Sequence, residues 1–299
     1  MKPSINTFFG AFILLFVFSA PLWAQEADMN TSESKPVKNT FGSIWIIDNQ
    51  TVAVPFKGNF EFDIQHRFGI VKNGYDDLFG LYAPSNIRLG FGYVPIEKLM
   101  IGFGITKTNL TWDVNVKYAI LRQMTSGGSP LSVTYFGNAA IDTRDKDYFT
   151  NPEVLVTTDR LSFFHQLLFA RKFSDKISLQ LGASLSHFNT VEAFKNPQNE
   201  IIDKYQNDHF AIALSGRYKI SPVTNILINY DQPVTTHEVL DPQPNISFGL
   251  EITTSSHQFQ IFAGNFYNIT PQRNNVFNNN RFQDGAFLIG FNMTRLWSL

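Results

Sequence analysis

The feature that most constrains this chain is a two-residue alternation of apolar and polar side chains that returns about twelve times. In the first such run, Phe60, Phe62 and Ile64 share one parity, while Glu61 and Asp63 occupy the other. Because successive side chains of a β-strand point to opposite faces, this period predicts strands with one apolar and one polar face. The predicted strands lie near residues 60–68, 87–93, 99–105, 112–120, 131–135, 161–169, 177–185, 210–220, 226–230, 246–252, 259–263 and 287–293.

The connections between these strands alternate in length, which separates a membrane barrel from a soluble sandwich. Every second link is short, as at 174–175 and 221–222, and the links between them are long, as at 142–159 and 189–207. The link at 108–110 is the one short member of the long series. Short turns at one rim and long loops at the other are typical of bacterial outer-membrane barrels. The sequence therefore predicts an all-β, transmembrane, antiparallel up-and-down barrel of about twelve strands with short periplasmic turns and long extracellular loops.

The composition supports a chain with two opposite surfaces. Only 16% of the residues are charged and 15% are aromatic, whereas a soluble domain is about 25% charged. The apolar positions of the predicted strands carry no charged residue, as a lipid-facing band requires, whereas Arg295, after the last of them, breaks the alternation and is expected at the periplasmic rim. The charges within the strands fall on the polar parity, and we predict that they line the lumen: Glu61, Asp63, Arg67, Arg88, Asp113, Lys117, Arg217, Lys219, Asp231 and Glu251.

These ten residues divide equally into five acids and five bases, which disfavours a strong charge filter. One interpretation is a water-filled path for small neutral or zwitterionic solutes. The other is that the charges pair across the lumen and block it. The sequence leaves both interpretations open.

The N-terminus has the three-part plan of a secretory signal peptide. Lys2 precedes an apolar run over 8–18, and small residues lead to an expected cleavage after Ala24. The run is too short for a transmembrane helix. We therefore predict a signal peptide at 1–24.

A lead-in segment is expected at 25–58 and the barrel at 59–299. The lead-in contains an unbroken apolar run from Ile44 to Ile47. This run is compatible with a segment that enters the barrel from the periplasm, with a partial plug, or with extra strands, and the sequence does not decide among them.

The sequence contains few patterns that indicate a catalytic, metal-binding or nucleic-acid-binding site. The chain has no Cys, which excludes a disulfide framework and a thiol nucleophile. Its 24 basic and 25 acidic residues give no excess for nucleic acid. His165, His187 and His209 lie on strands that would be neighbours, but nothing makes them converge on a metal ion. We therefore predict no catalytic residue, no metal and no cofactor, and expect that the chain is not an enzyme.

Two other patterns receive structural interpretations. Gly90, Gly92, Gly102 and Gly104 alternate, which indicates thin inner-face positions of a barrel rather than a phosphate-binding loop. The asparagine cluster at 274–280 is interpreted as a solvated outer loop.

Several short motifs also carry a family likeness. The runs His66-Arg67-Phe68-Gly69, Leu78-Phe79-Gly80-Leu81 and Asn86-Ile87-Arg88-Leu89-Gly90, with Lys117-Tyr118 and Arg122-Gln123, resemble a domain-of-unknown-function family of predicted outer-membrane β-barrels from Gram-negative envelopes. The resemblance covers most of the chain from about Thr40. It implies a barrel in the cell envelope, and it supplies no activity.

The sequence thus favours a porin-like outer-membrane barrel that acts as a narrow passive channel for small solutes or as a structural envelope protein. The alternatives are a surface-binding module that uses the long loops, and a barrel-embedded hydrolase, which would need a Ser beside a His. The expected partners are outer-membrane lipid and the barrel-assembly machinery, which would read the C-terminal strand ending at Trp297 and Leu299.

Overall fold

The computed structural model describes residues 34–149, 155–198, 200–237 and 240–298. The predicted signal peptide lies outside these ranges and stays a prediction. In chain order the strands are β1 (Trp45–Ile46), β2 (Asn49–Gln50), β3 (Asn59–Ile70), β4 (Asn86–Ile96), β5 (Leu99–Thr106), β6 (Thr111–Leu121), β7 (Ser132–Ile141), β8 (Leu161–Lys172), β9 (Ile177–Phe188), β10 (Ala193–Lys195), β11 (Ile201–Lys204), β12 (Asp208–Lys219), β13 (Thr224–Pro233), β14 (Asn245–Thr253), β15 (His257–Gly264) and β16 (Leu288–Ser298).

One short α-helix, α1 (Pro271–Asn274), lies in the loop between β15 and β16. The 3-10 turns are Val71–Asp77, Thr108–Leu110, Lys146–Tyr148, Thr157–Arg160 and Phe282–Asp284. Within the described ranges, no helix is long and apolar enough to cross a bilayer.

Twelve of the strands close into one antiparallel barrel. Each barrel strand pairs with the next along the chain, from β3 to β9 and from β12 to β16, and β9 pairs with β12 across the loop that holds the small hairpin β10–β11. β16 pairs with β3 and completes the ring. The predicted all-β barrel of twelve strands is confirmed.

The alternation in the sequence decides which side chains face outward. Along β6, Trp112 and Val114 are 47% and 58% exposed, whereas the intervening Asp113 is 2% exposed. The same alternation runs along the other barrel strands and gives an apolar outer band of the kind that lipid requires. Arg295, which breaks the apolar parity of β16, is exposed near the turn at 254–256, and its guanidinium lies 4.8 Å from the Trp297 ring.

The interior of the barrel is filled by the chain's own N-terminal segment. Residues 43–52 are all buried, and β1 and β2 form a two-stranded hairpin within this segment. Polar side chains of the barrel wall bind its backbone, as buried peptide groups require. Of the three arrangements that the sequence left open for this segment, the structure shows a plug.

A second segment fills the opposite, extracellular end. In the β15–β16 loop, Asn274, Asn275 and Asn278 are at most 7% exposed. The expectation of a solvated outer loop at 274–280 was wrong for these three residues. The reason is that their amides satisfy other buried polar groups: the Nδ2 of Asn278, for example, donates to Asn245 Oδ1 over 2.8 Å.

Candidate functional site: the plugged lumen

The site consists of two segments and the wall around them. We call residues 40–53 the plug and residues 265–280 the cap loop. The plug enters from the end of the barrel that carries the short turns, where Val37 N donates to Gln123 O and Lys172 Nζ donates to Lys38 O. The cap loop descends from the end that carries the long loops. The two segments therefore close the lumen from both sides.

The plug hairpin turns through Ile47 and Asp48. Ile47 has a φ of 58°, in the left-handed region that a β-branched residue rarely adopts. The wall holds this conformation, because Ile47 N donates to Gln260 Oε1 over 3.1 Å and Asn292 Nδ2 donates to Ile47 O over 2.7 Å. Tertiary contacts thus hold the left-handed conformation of Ile47.

Asp48 lies at the junction of the plug, the wall and the cap loop. Its Oδ1 accepts a hydrogen bond from Asn229 Nδ2, and its Oδ2 accepts one from Asn274 Nδ2, both over 2.8 Å. The same Asn229 nitrogen lies 2.8 Å from Asp231 Oδ2, so one amide bridges two buried carboxylates. Burial raises the pKa of Asp48 to about 6, against the opposing attraction of Arg67. The docked plug therefore carries an acid that is costly to ionise in place.

Asn49 secures the neighbouring position of the hairpin. Its Nδ2 donates to both carboxylate oxygens of Asp231, over 2.7 and 2.9 Å, and its Oδ1 accepts from Gln166 Nε2 over 3.1 Å. These contacts join the plug to strands β13 and β8. A single plug side chain therefore ties the plug to two separate parts of the wall.

An ion-pair cluster lies on the wall beside the plug. Arg88 bridges Asp63 and Asp113, with N–O distances of 3.2 and 2.9 Å, and its guanidinium lies 5.6 Å from the Trp45 ring. Gly104 makes room for this cluster, since an added Cβ would lie 2.1 Å from Arg88 Nη2. The alternating glycines of β4 and β5 thus serve as thin wall positions.

The ten charged residues predicted to line the lumen do not all occupy equivalent places. Two of them, Arg217 and Lys219, are half-buried near the periplasmic turn at 220–223. Arg217 donates to Asn39 O over 3.0 Å. The other eight are at most 5% exposed: Glu61, Asp63, Arg67, Arg88, Asp113, Lys117, Asp231 and Glu251.

Of these eight, three contact the plug directly by hydrogen bonds. Lys117 Nζ donates to Ile44 O and to Gln50 Oε1, over 3.2 and 3.0 Å. Arg67 donates to Ile47 O over 3.4 Å, and Asp231 accepts from Asn49. The rest bind other wall residues, except Glu61, whose carboxylate oxygens have no hydrogen-bond partner among the described residues.

Sequence reasoning missed the apolar part of the inner wall. Leu168, Leu227 and Phe262 are buried on the parity that was expected to be polar, and they pack in one cluster with Ile46 and Ile47 of the plug. A signal for them exists in the sequence, because adjacent apolar pairs such as Leu167-Leu168 and Ile261-Phe262 break the alternation. Adjacent apolar residues place one side chain on each face of a strand.

The histidines do not assemble into a site. His165 faces outward and lies 2.7 Å from Tyr135 Oη, whereas His187 lies 2.7 Å from Asp208 Oδ1. His209 is buried and lies 3.3 Å from His237 Nε2. The part of the chain that the structure describes contains no group of three side chains able to hold a metal ion.

A closed barrel with an apolar outer band and a lumen filled by its own chain defines the class. The protein is an outer-membrane β-barrel with an internal plug. The membrane bound beta barrel domain family (DUF5777) matches residues 41–297, and the chain belongs to that family. The match confirms the family resemblance, and it begins inside the plug.

Solved barrels are similar in outline. The NanC porin has a TM-score of 0.48 at 8% identity, over 80% of this chain and 99% of its own. An outer-membrane channel from Pseudomonas putida F1 has a TM-score of 0.48 at 12% identity, over 82% and 97%. The KdgM porin has a TM-score of 0.43 at 9% identity, over 80% and 99%. No curated protein matches the sequence.

Proposed function

We propose that this protein is a passive outer-membrane channel for small solutes that its own N-terminal plug keeps closed at rest. The observation that carries the proposal is the way in which the plug is held. Side-chain donors and acceptors of the wall bind its backbone one group at a time, and no disulfide links residues 43–52 to the wall, since the chain has no Cys. Such contacts can be exchanged for water when the segment leaves.

Two features of the plug favour its release. The first is the buried Asp48, whose ionised form is better solvated in water than in the docked state. The second is the left-handed conformation of Ile47, which costs about 1–3 kcal/mol and is relieved when the segment is free. Both oppose the docked state without affecting the barrel strands.

The experiment uses a reversible lock on the plug. Ser43 Oγ lies 3.3 Å from Thr294 Oγ1 on β16, so that Ser43→Cys with Thr294→Cys places two thiols in contact in a chain that is otherwise free of Cys. The lock is introduced into an Asn49→Ala background, which removes the contacts with Asp231 and Gln166 and weakens docking. Planar-bilayer conductance is then recorded with the disulfide oxidised and reduced.

We expect silence after oxidation and channel openings after reduction. Asn49→Ala without the cysteines controls for redox effects and is expected to conduct in both conditions. The unboiled gel mobility of each variant verifies a folded barrel. Silence of the reduced protein and of the control would contradict the channel, and would favour a filled, structural envelope protein.

We also propose that the barrel-assembly machinery recognises β16. This strand closes the ring against β3 over a continuous register from Thr294 to Ser298. Removal of residues 297–299 is expected to lower the yield of folded barrel in the outer membrane, as judged by gel mobility. A normal yield would contradict this role.

A further inference from the structure

Two buried glutamines bind the plug through its backbone in the same way. Gln260 Nε2 donates to Trp45 O over 2.9 Å, and its Oε1 accepts from Ile47 N over 3.1 Å. Gln180 Nε2 donates to Gln50 O over 2.7 Å, and its Oε1 accepts from Val52 N over 3.0 Å. Each side-chain amide thus joins a carbonyl to the N–H two residues later, as one residue of a neighbouring parallel strand would. We call Gln180 and Gln260 the backbone clamps.

Other wall residues add contacts to backbone oxygens. Lys117 donates to Ile44 O, and Thr134 Oγ1 donates to Val52 O over 3.0 Å. Asn292 donates to Ile47 O. All of these groups belong to the main chain, so that a peptide of different sequence offers the same donors and acceptors. The wall around the plug is therefore built to bind peptide backbone.

Apolar surface lies next to the clamps. Leu168, Leu227 and Phe262 pack against plug side chains on one side of the lumen. On another side, Val94 and Met100 pack against Ile44 and Trp45. These two surfaces favour apolar or aromatic side chains in whatever occupies the lumen.

We infer that the lumen is a binding site for short peptides with apolar or aromatic side chains, and that the plug is its tethered occupant. The inference rests on the proposed function, because the site becomes free only when the plug leaves. The two clamps are 1% and 3% exposed, and a free lumen removes the two plug partners of each, although Gln260 keeps its wall contacts with Glu251 and Asn292. A peptide restores both pairs of hydrogen bonds, whereas a sugar or an ion does not present a carbonyl and an N–H two residues apart.

The test measures peptide binding directly, without conductance. The protein is the full-length Asn49→Ala variant in detergent, and the probes are fluorescent peptides followed by anisotropy. The first probe has the sequence of residues 43–53, the second has a scrambled order of the same residues, and the third is the first probe N-methylated at the amides that correspond to Ile47 and Val52.

We expect the scrambled peptide to bind about 10- to 100-fold more weakly than the first but still measurably, because scrambling removes the side-chain contacts of Asp48, Asn49 and Gln50 and leaves the main-chain contacts in place. N-methylation is expected to weaken binding by about tenfold per amide, or about 100-fold for two. Equal binding of the methylated and unmethylated peptides would overturn the inference. Binding of the native order alone would also overturn it, because it would show that the wall recognises the plug sequence rather than peptide backbone.

A matched pair of wall variants locates the site. Gln260→Leu removes one clamp, whereas Gln258→Leu changes a 7% exposed glutamine two residues away on β15 whose Oε1 has no hydrogen-bond partner. We expect Gln260→Leu to weaken both the native and the scrambled peptide by about tenfold or more, and Gln258→Leu to leave binding unchanged. Equal effects of the two variants would contradict the clamp.

The experiments can refute the channel and the peptide site independently of each other. A reduced lock that conducts, together with peptides that do not discriminate N-methylation, leaves the channel standing without a peptide site. A silent lock together with methylation-sensitive binding leaves the peptide site standing without a conducting state.

Discussion

Replacement of Asp48 by Asn is expected to tighten the plug. In the docked state Asp48 is 5% exposed, and burial raises its pKa from 3.8 to about 6. Once the plug leaves the lumen, the carboxyl group returns to water and to its ordinary pKa. The docked state therefore binds this proton more tightly than the free state. Docking is strongest below pH 3.8 and weakens as the pH rises, with the full loss reached above about pH 6.

The size of the effect follows from the two pKa values. The difference between 3.8 and about 6 corresponds to ~3 kcal/mol of docking free energy. Asp48→Asn removes the charge and keeps the shape of the side chain. The Oδ1 of Asn274 has no partner in the described structure, so that this amide can turn over and accept a hydrogen bond from the new NH2 group. Above pH 7 we therefore expect the open fraction to fall by about 100-fold.

Thiol labelling of the plug measures this fraction. Ser43 is 4% exposed, so a maleimide reaches Ser43→Cys only when the plug has left. The exposed Ser126→Cys, measured in a separate variant, corrects for the ionisation of the thiol. The corrected rate of the otherwise native protein is expected to rise about tenfold from pH 5 to pH 7 and little beyond. In Asp48→Asn the part of this rise that comes from Asp48 should disappear.

The difference between the two profiles reports Asp48 together with Asp231, because these two carboxylates interact directly, whereas the other titratable groups are common to both proteins. Faster labelling of Asp48→Asn, or identical pH profiles, would refute the reasoning. Either result would mean that the carboxylate is not penalised by burial in the docked plug.

Three further predictions use matched pairs of positions. Gly104→Ala is expected to destabilise the barrel by about 3–5 kcal/mol, because the new Cβ displaces Arg88 from two buried acids. Gly216→Ala, whose Cβ meets only Leu179 at 3.4 Å, should change the stability very little. The stability of both variants is measured by urea titration with gel mobility as the signal. Asn274→Ala is expected to raise the labelling rate of Ser43→Cys by about tenfold, since it removes a hydrogen bond to Asp48. Asn279→Ala, at an exposed position of the same loop, should leave the rate unchanged. Equal rates in the two variants would argue against contact between the cap loop and the plug. Leu168→Ala, at a fully buried inner position, is expected to lower the stability of the plugged barrel by about 2–5 kcal/mol and to speed the labelling of Ser43→Cys. Leu167→Ala changes a side chain that is 36% exposed on the lipid-facing side, and it should leave this labelling unchanged.

The barrel itself was predictable because its information is local. Each feature that predicted it lies within one short stretch of sequence: the parity of β3 and β6, the short turn at 173–176 and the long loop at 189–207. Successive side chains of a strand point to its two opposite faces, so the set of alternate positions that carries no charge identifies the face toward lipid. The alternating glycines of β4 and β5 were interpreted correctly as thin wall positions for the same reason.

What fills the barrel was decided by the tertiary structure alone. The contacts that hold the plug join residues far apart in sequence, such as Asn49 with Asp231 and Ile47 with Asn292. Strand parity assigns a side chain to the inside, but it does not say what lies opposite across the lumen. The sequence by itself therefore determined an outer-membrane barrel with a polar inner face, and left an open path and a blocked one equally compatible with it. Only the folded chain, which brings the plug hairpin against wall residues about 200 positions away, shows that the inner face binds the chain's own plug.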